Sequence, residues 1–255
     1  MIKLFHRKAS IASQKIRVYL AEKALSWHSE LIDLETINLP VFRLKNPVGA
    51  LPAMCNERGE LIFGSTQIIE YLEANFRNIP LWSEKYQQRK QIHRFCQAQD
   101  KLYENCLMPL TNSDLLQRDD IHEALFDRLA FAEKQTPESL EAALVTVKKQ
   151  LETVEIEASR DMAITTLDAL NALLDHSDGY LFGDHYTFAD SVATASVYRL
   201  DELGFEGEIA LRPLLADWWG SMQTRESFES GILKYLPEKN ISKSTRNDKL
   251  FETNV

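Results

Sequence analysis

The chain is poor in the residues that build metal centres and disulfide frameworks. Its three cysteines, Cys55, Cys96 and Cys106, are scattered and contain no Cys-x-x-Cys pair, too few for a stapled secreted fold or a zinc site. The six histidines (His6, His28, His93, His122, His176 and His185) fall at no metal-ligand spacing. Basic side chains are outnumbered, 29 against 38 acidic, for a formal charge of −9. Without a long basic run such a chain is a poor partner for nucleic acid. No apolar stretch approaches the ~20 residues of a membrane span. The start, MIKLFHRKAS, lacks the apolar segment of a secretory leader. Metalloenzyme, nucleic-acid-binding and membrane-anchored classes recede. A soluble cytoplasmic protein without a resident metal or cofactor is expected.

What is present, over 255 residues, is room for two domains and a substantial core. Residues 1–80 alternate strand and helix signals: Ile2–Phe5 as a strand, Ser13–Ala24 as a helix with Ile16, Leu20 and Ala24 on one face, and Glu30–Leu34 as a second strand. Pro52–Asn56 and Glu60–Phe63 flank Glu57-Arg58-Gly59, a hairpin signal, and Thr66–Phe76 carries Ile68, Ile69, Leu72 and Phe76 on a helical stripe. This order fits a small layered α/β domain of thioredoxin-like type. Asn78-Ile79-Pro80-Leu81 breaks the pattern as a linker.

Residues 84–236 read almost wholly as helix, with Tyr86–Cys106 as one long segment and Leu211–Gly231 as another. Leu140, Leu144, Val147, Leu151, Val154 and Ala158 make a heptad-like seam whose phase shifts near Arg160, and ordinary packing accounts for it. Thr187-Phe188-Ala189-Asp190 has capping-box spacing with Asp in the place of Glu or Gln, which gives Asp190 a folding role. The tail, 237–255, is polar and expected to be flexible.

Two stretches point to chemistry. Asn46-Pro47-Val48-Gly49-Ala50-Leu51-Pro52 reads as a tight turn into an X-Pro step, and Gly64-Ser65-Thr66-Gln67 as a turn that opens a helix. A fixed backbone edge beside a helix N-terminus is a seat for a small peptide-like anion, and a thiol tripeptide is the ligand it suggests. In this reading the Leu51 backbone, preceding a cis Pro52, pairs with the cysteinyl unit, and Ser65 holds a carboxylate; alone, Pro52 would be a strand starter and Ser65 an N-cap.

Ser10 and Ser13 precede the first helix; Ser13 suits the cap, and Ser10, one turn earlier, suits a hydroxyl that donates to a thiolate. Lowering a thiol pKa of ~8.5 by roughly two units needs ~2.7 kcal/mol of selective anion stabilisation. One charge-assisted hydrogen bond plus a helix end supplies about that. His6 closes the first strand and either faces the same cleft or packs at its rim. The cysteines are read as small apolar residues.

SQKIRVYLAEKAL, NPVGALP, STQIIEYLE and LFGDHYTFAD resemble the cytosolic glutathione S-transferases, and the resemblance spans both domains. Within that superfamily the chain is most similar to the ganglioside-induced differentiation-associated protein-like group, through TQIIEYLE, Arg199-Leu200-Asp201-Glu202-Leu203-Gly204-Phe205, and extra helical material at about 111–166. The resemblance implies an α/β thioredoxin-like N-terminal domain (1–80) and an all-α C-terminal domain (84–236) with an extended helical insertion. It implies Ser10 as the catalytic, thiolate-stabilising residue, Leu51, Pro52 and Ser65 as glutathione-binding residues, and Thr187 and Asp190 as the folding motif. It implies glutathione as co-substrate, no other cofactor, a role in detoxification, and a homodimer.

Two departures stand out. Gly64 replaces the acidic residue that normally precedes Ser65 and binds the ligand's ammonium group. Losing that partner weakens binding by about 1.5–3 kcal/mol, roughly ten- to a hundredfold; the sequence leaves open whether another carboxylate, from this chain or a second subunit, replaces it. The end, NISKSTRNDKLFETNV, also lacks the hydrophobic anchor of the animal group. The expected activity is conjugation of glutathione to a small electrophile or hydrophobic substrate, in an apolar pocket between His6–Ala9 and the long helix near Phe95, Tyr103 and Met108. The rival is a binding or interaction protein of the same fold with little or no catalysis. Serine at position 10 instead of cysteine disfavours mixed-disulfide chemistry.

Overall fold

The computed structural model describes residues 1–32, 46, 51–117, 144–145, 147–149 and 156–236. Strand β1 (Ile2–His6) leads through a short loop into helix α1 (Ile11–Glu22), which crosses over to β2 (Trp27–Leu31), parallel to β1. β3 (Ala53–Cys55) pairs antiparallel with β1 and makes an antiparallel hairpin with β4 (Leu61–Phe63), so the sheet order is β2-β1-β3-β4. Asn56 builds the hairpin turn by accepting the N–H groups of Arg58 and Glu60, each at 2.9 Å, and Gly59 takes φ 83°. Helix α2 (Ser65–Asn75) then buries Ile68, Ile69 and Leu72.

This is the mixed, thioredoxin-like sheet expected, with shifts at the edges. β2 spans Trp27–Leu31 rather than Glu30–Leu34, because parallel pairing of Ile2 with Trp27 sets its register while its own apolar pattern, on an edge strand, is weak. Ile16 and Leu20 are fully buried, but Ala24 lies beyond the end of α1, exposed, at φ 50°.

α1 is covered on two sides, by the sheet and by the helical domain, so it buries polar Ser13, Gln14, Lys15 and Arg17 as well. Between the two domains, the peptide segment 79–81 is tied down. Lys23 Nζ donates to Glu73 Oε1 at 2.9 Å and to the Ile79 carbonyl at 2.7 Å, and Leu81 N–H reaches the same Glu73 oxygen at 3.1 Å.

The second domain begins with α3 (Tyr86–Leu102), which passes through a π-helical turn (Tyr103–Leu107) into α4 (Met108–Leu116). The rod is longer than the expected Tyr86–Cys106, and the wider turn has a chemical cause. Pro109 has no N–H to return to the Asn105 carbonyl and its ring crowds that group. Ser159 supplies the missing donor, its Oγ reaching Asn105 O at 3.1 Å, while Cys106 Sγ donates to Ser159 O at 3.2 Å.

Ser159 belongs to α5 (Ile156–Asp175), whose buried stripe is Ser159, Ala163, Leu167, Leu170 and Leu174. Of the heptad-like seam, Leu144 and Val147 are buried and Ala158 is exposed; Leu140, Leu151 and Val154 lie outside the described residues, as does the tail 237–255.

Helix α6 (Phe188–Glu202) is the centre of the domain, buried along most of its length. Asp190 caps it: Oδ2 accepts Thr187 N–H at 2.8 Å and Thr187 Oγ1 at 3.0 Å, and Oδ1 accepts Leu181 N–H at 3.0 Å and Trp218 Nε1 at 3.1 Å. Burial pushes this carboxyl above its ordinary range, and the four donors pull the other way. Beyond it come α7 (Glu206–Ala210), α8 (Pro213–Gln223) and α9 (Glu226–Gly231), so the helix expected over Leu211–Gly231 is two helices hinged at Thr224–Arg225.

The C-terminal end of α9 presses on α1. A Cβ on Gly231 would stand 2.8 Å from the Val18 backbone nitrogen, so only glycine allows that approach. Arg225 forks onto Glu22 nearby, at 2.6 and 2.7 Å. Among the described residues no helix is long and apolar enough to cross a membrane.

Candidate functional site

The loop between β1 and α1 is held from beneath by two buried guanidinium groups. Arg17 donates to the carbonyls of Arg7 and Lys8, both at 2.8 Å, and Arg199 of α6 donates to that of Ala9 at 2.7 Å. Three consecutive carbonyls are thereby fixed just before Ser10. Arg17 also reaches Gly231 O at 2.6 Å and lies 4.2 Å over the Tyr235 ring. Among the described residues no carboxylate pairs with it, and burial lowers its pKa to about 9, still above neutrality.

His6 does not face a cleft. It is fully buried, between Trp27 and Tyr235. Its Nδ1 lies 3.1 Å from Arg17 NH1 and its Nε2 2.7 Å from Ser29 Oγ. Arginine can only donate, so Nδ1 is the acceptor and Nε2 carries the proton. Burial first, and then the Arg17 charge, lower the His6 pKa from 6.5 to about 3.

A histidine depressed in this way is neutral in both folded and unfolded states above 6.5, so its contribution is complete there. Between 6.5 and about 3 the unfolded chain binds the extra proton, and stability falls with a slope approaching ~1.4 kcal/mol per pH unit. Urea midpoints at pH 7, 6 and 5 are expected to show this fall, and His6→Gln to flatten it.

Ser10, not Ser13, caps α1. Its Oγ accepts Ser13 N–H at 3.3 Å, while Ser13 is buried and accepts Arg7 N–H at 3.2 Å. A hydroxyl that caps through its oxygen keeps its proton for another acceptor.

A cleft of about 340 Å³ opens beside this helix start. One wall is Leu51 and Pro52, joined by a cis peptide bond, with Gly64, Ser65, Thr66 and Gln67. The other is Ala12 and Lys15 of α1 with Asp100, Tyr103 and Glu104 of the long helix. Three of the residues read from the sequence, Leu51, Pro52 and Ser65, thus share one wall; Ser10 stands at the head of α1, two residues before Ala12, outside the lining.

Ser65 is the first residue of α2 rather than its cap. The cap is Gly64, at φ 82°, which has no side chain to close the helix. The N–H groups at the start of α2 therefore meet the cleft with the positive end of the helix behind them, an anion seat.

The sequence reading missed Lys15, Asp100 and Glu104. A signal was available: Ala12 and Lys15 are three apart, and Asp100, Tyr103 and Glu104 stand at i, i+3 and i+4, so each set shares a helical face. Lys15 Nζ donates to Asp100 Oδ1 at 3.0 Å within that wall of the cleft. Phe95, expected near Tyr103, instead lines a separate cavity of about 550 Å³ with Arg94, Leu173, His176 and Phe182. Burial pushes the Cys96 and Cys106 thiols up to about 12, and Cys55 is half-buried. Among the described residues no cluster of His, Cys, Asp and Glu could hold a metal ion.

Residues 4–80 match the glutathione S-transferase N-terminal domain family and residues 137–219 the glutathione S-transferase C-terminal domain family. The glutathione S-transferase TCHQD of Arabidopsis thaliana is 26% identical, over 92% of this chain and 91% of its own. A stringent starvation protein A homolog of Haemophilus influenzae is 23% identical over 92% of each chain. The crystal structure of a glutathione S-transferase from Rhodospirillum rubrum superposes with a TM-score of 0.67 at 26% identity, covering 91% of both chains. With both domains matched in order over more than half of its length, the chain belongs to the glutathione S-transferase superfamily.

Proposed function

We propose that this chain is a glutathione transferase that binds glutathione in the cleft between α1, cis-Pro52 and the start of α2, and conjugates its sulfur to a small electrophile. The observation that carries the reading is the meeting of Leu51–Pro52 and the uncapped start of α2 at Ser65 in one cleft. The helix start accepts the γ-glutamyl carboxylate, the Leu51 backbone pairs with the cysteinyl unit as an added strand, and the Ser10 hydroxyl donates its free proton to the thiolate. The similar transferases of Arabidopsis and Rhodospirillum support the activity. TQIIEYLE and the Arg199–Phe205 run support a place near the ganglioside-induced differentiation-associated protein-like group. A two-domain division at 1–80 and 84–236, a cytoplasmic detoxifying role and a homodimer complete the proposal.

The test is steady-state conjugation with an aryl halide electrophile. Ser10→Ala is expected to lower kcat/KM by roughly 10–100-fold at neutral pH, the equivalent of ~1.5–3 kcal/mol for a hydrogen bond to an anion. Turnover equal to that of the unaltered protein would remove Ser10 from the mechanism.

One observation favours a second reading, a binding protein of the same fold with little catalysis: Ser10 caps its own helix from outside the cleft lining, and Gly64 brings no carboxylate. The resemblance to a stringent starvation protein A homolog leans the same way. Calorimetry and the conjugation assay together separate the two, since glutathione bound without any conjugation would select the second.

A further inference from the structure

We propose that a cavity at the domain junction binds the phosphate group of a phosphorylated small molecule. It holds about 470 Å³ between the end of α2, the linker and the start of α3, and it shares no lining residue with the cleft beside cis-Pro52. Arg77 and Pro80 line it from the linker, and Trp82 and Arg89 from the approach to α3 and its first turn, with Glu73 and Glu84 among the other lining residues.

Donor side chains there lack acceptors. Among the described residues neither Arg77 nor Arg89 meets an ion-pair or hydrogen-bond partner, whereas Arg17, Arg199, Arg212 and Arg225 are each engaged. Nε1 of half-buried Trp82 is itself buried and has no acceptor, and an indole can only donate. A buried donor without an acceptor costs stability until something supplies one.

The acidic neighbours do not cancel the arginines. Glu73 is already engaged by Tyr19, Lys23 and the Leu81 N–H, and Lys23 neutralises its charge. Glu84 is exposed, one carboxylate against two guanidinium groups. The imbalance extends along the surface: residues 77–99 hold five cations (Arg77, Lys85, Arg89, Lys90 and Arg94) and one acid, Glu84, in a chain of net charge −9. A local positive field on an acidic protein draws small anions to that face.

Chemistry narrows the anion. A carboxylate offers two oxygens and fills one guanidinium fork. Two forks and an indole N–H call for a second negative charge and a third oxygen, which a phosphate group provides. Pro80 and Trp82 offer apolar surface to the organic part of the molecule.

The test is calorimetric titration with phenyl phosphate at constant ionic strength, compared with benzoate and inorganic phosphate. The unaltered protein is expected to bind phenyl phosphate saturably, and roughly tenfold more tightly than either of the others. Arg77→Met, Arg89→Met and Trp82→Phe are each expected to weaken it roughly tenfold. Lys90→Met removes the same charge from the same helix, outside the lining, and should weaken it by no more than about twofold. Both arginines are exposed and unpaired, so their variants should keep the urea midpoint of the unaltered protein. Absence of saturable phenyl phosphate binding at millimolar concentration, equal affinity for benzoate, or equal losses in Lys90→Met and Arg89→Met overturns the inference. Inorganic phosphate bound as tightly as phenyl phosphate overturns it too, because the free ion would then be the occupant.

Discussion

Asp190→Ala is expected to destabilise the protein by about 3–5 kcal/mol, measured as the shift of the urea unfolding curve at constant slope. The side chain is fully buried and gathers four donors from three places: the helix start at Thr187, the loop at Leu181, and Trp218 on α8. Alanine leaves two backbone N–H groups and an indole N–H without acceptors where water does not reach. Asn is no rescue. One oxygen takes Leu181 and Trp218 and the other takes Thr187 twice, so in either orientation an amide NH2 faces an N–H donor. Asp190→Asn is therefore expected to lose nearly as much, and a loss under 1 kcal/mol would contradict the capping account.

Arg17→Met is expected to cost stability and activity together. The substitution keeps an apolar stem but strands the carbonyls of Arg7, Lys8 and Gly231 and the Nδ1 of His6, an expected loss of about 3–5 kcal/mol. Because Arg7 and Lys8 lead directly into the cap of α1, the loop that presents Ser10 loosens, and kcat/KM falls in the molecules that remain folded. Arg17→Lys is expected to recover little, since one ammonium cannot span four acceptors that a planar fork reaches at once. Denaturation curves and conjugation rates on the same samples check both effects. A stable variant with low activity would mean that loop position, rather than domain packing, is the main role of Arg17.

These two residues show what the sequence could and could not disclose. Asp190 was legible because a capping box is a local device, four residues long. The apolar run Ile2–Phe5, the Gly59 turn and the X-Pro step at Pro52 were legible for the same reason, and Ser65 followed from its helix. Arg17 was not legible as a buried anchor. In SQKIRVYLAEKAL the polar positions read as a solvated face, and only the covering of α1 by a second domain turns Ser13, Gln14, Lys15 and Arg17 inward. The ends of β2 and α1 moved for a related reason, since register and tertiary contact, rather than their own apolar pattern, decide where they stop. The π-helical turn depends on Ser159, 54 positions from its partner Asn105, and no local motif announces that partnership. The cleft divides the same way: Leu51, Pro52 and Ser65 were readable from one stretch, but Lys15 meets Asp100 across 85 positions.

The placement of sulfur in this molecule has a consequence for its own durability. Two of the three thiols are sealed in the helical domain and, with burial pushing them up to about 12, hold almost no thiolate at neutral pH. Under the proposed function, a reactive alkylating compound diffusing through the cleft would find the sulfur of bound glutathione far more nucleophilic than these two of the host's. A protein arranged in this way can meet corrosive chemicals repeatedly without its core being consumed by them.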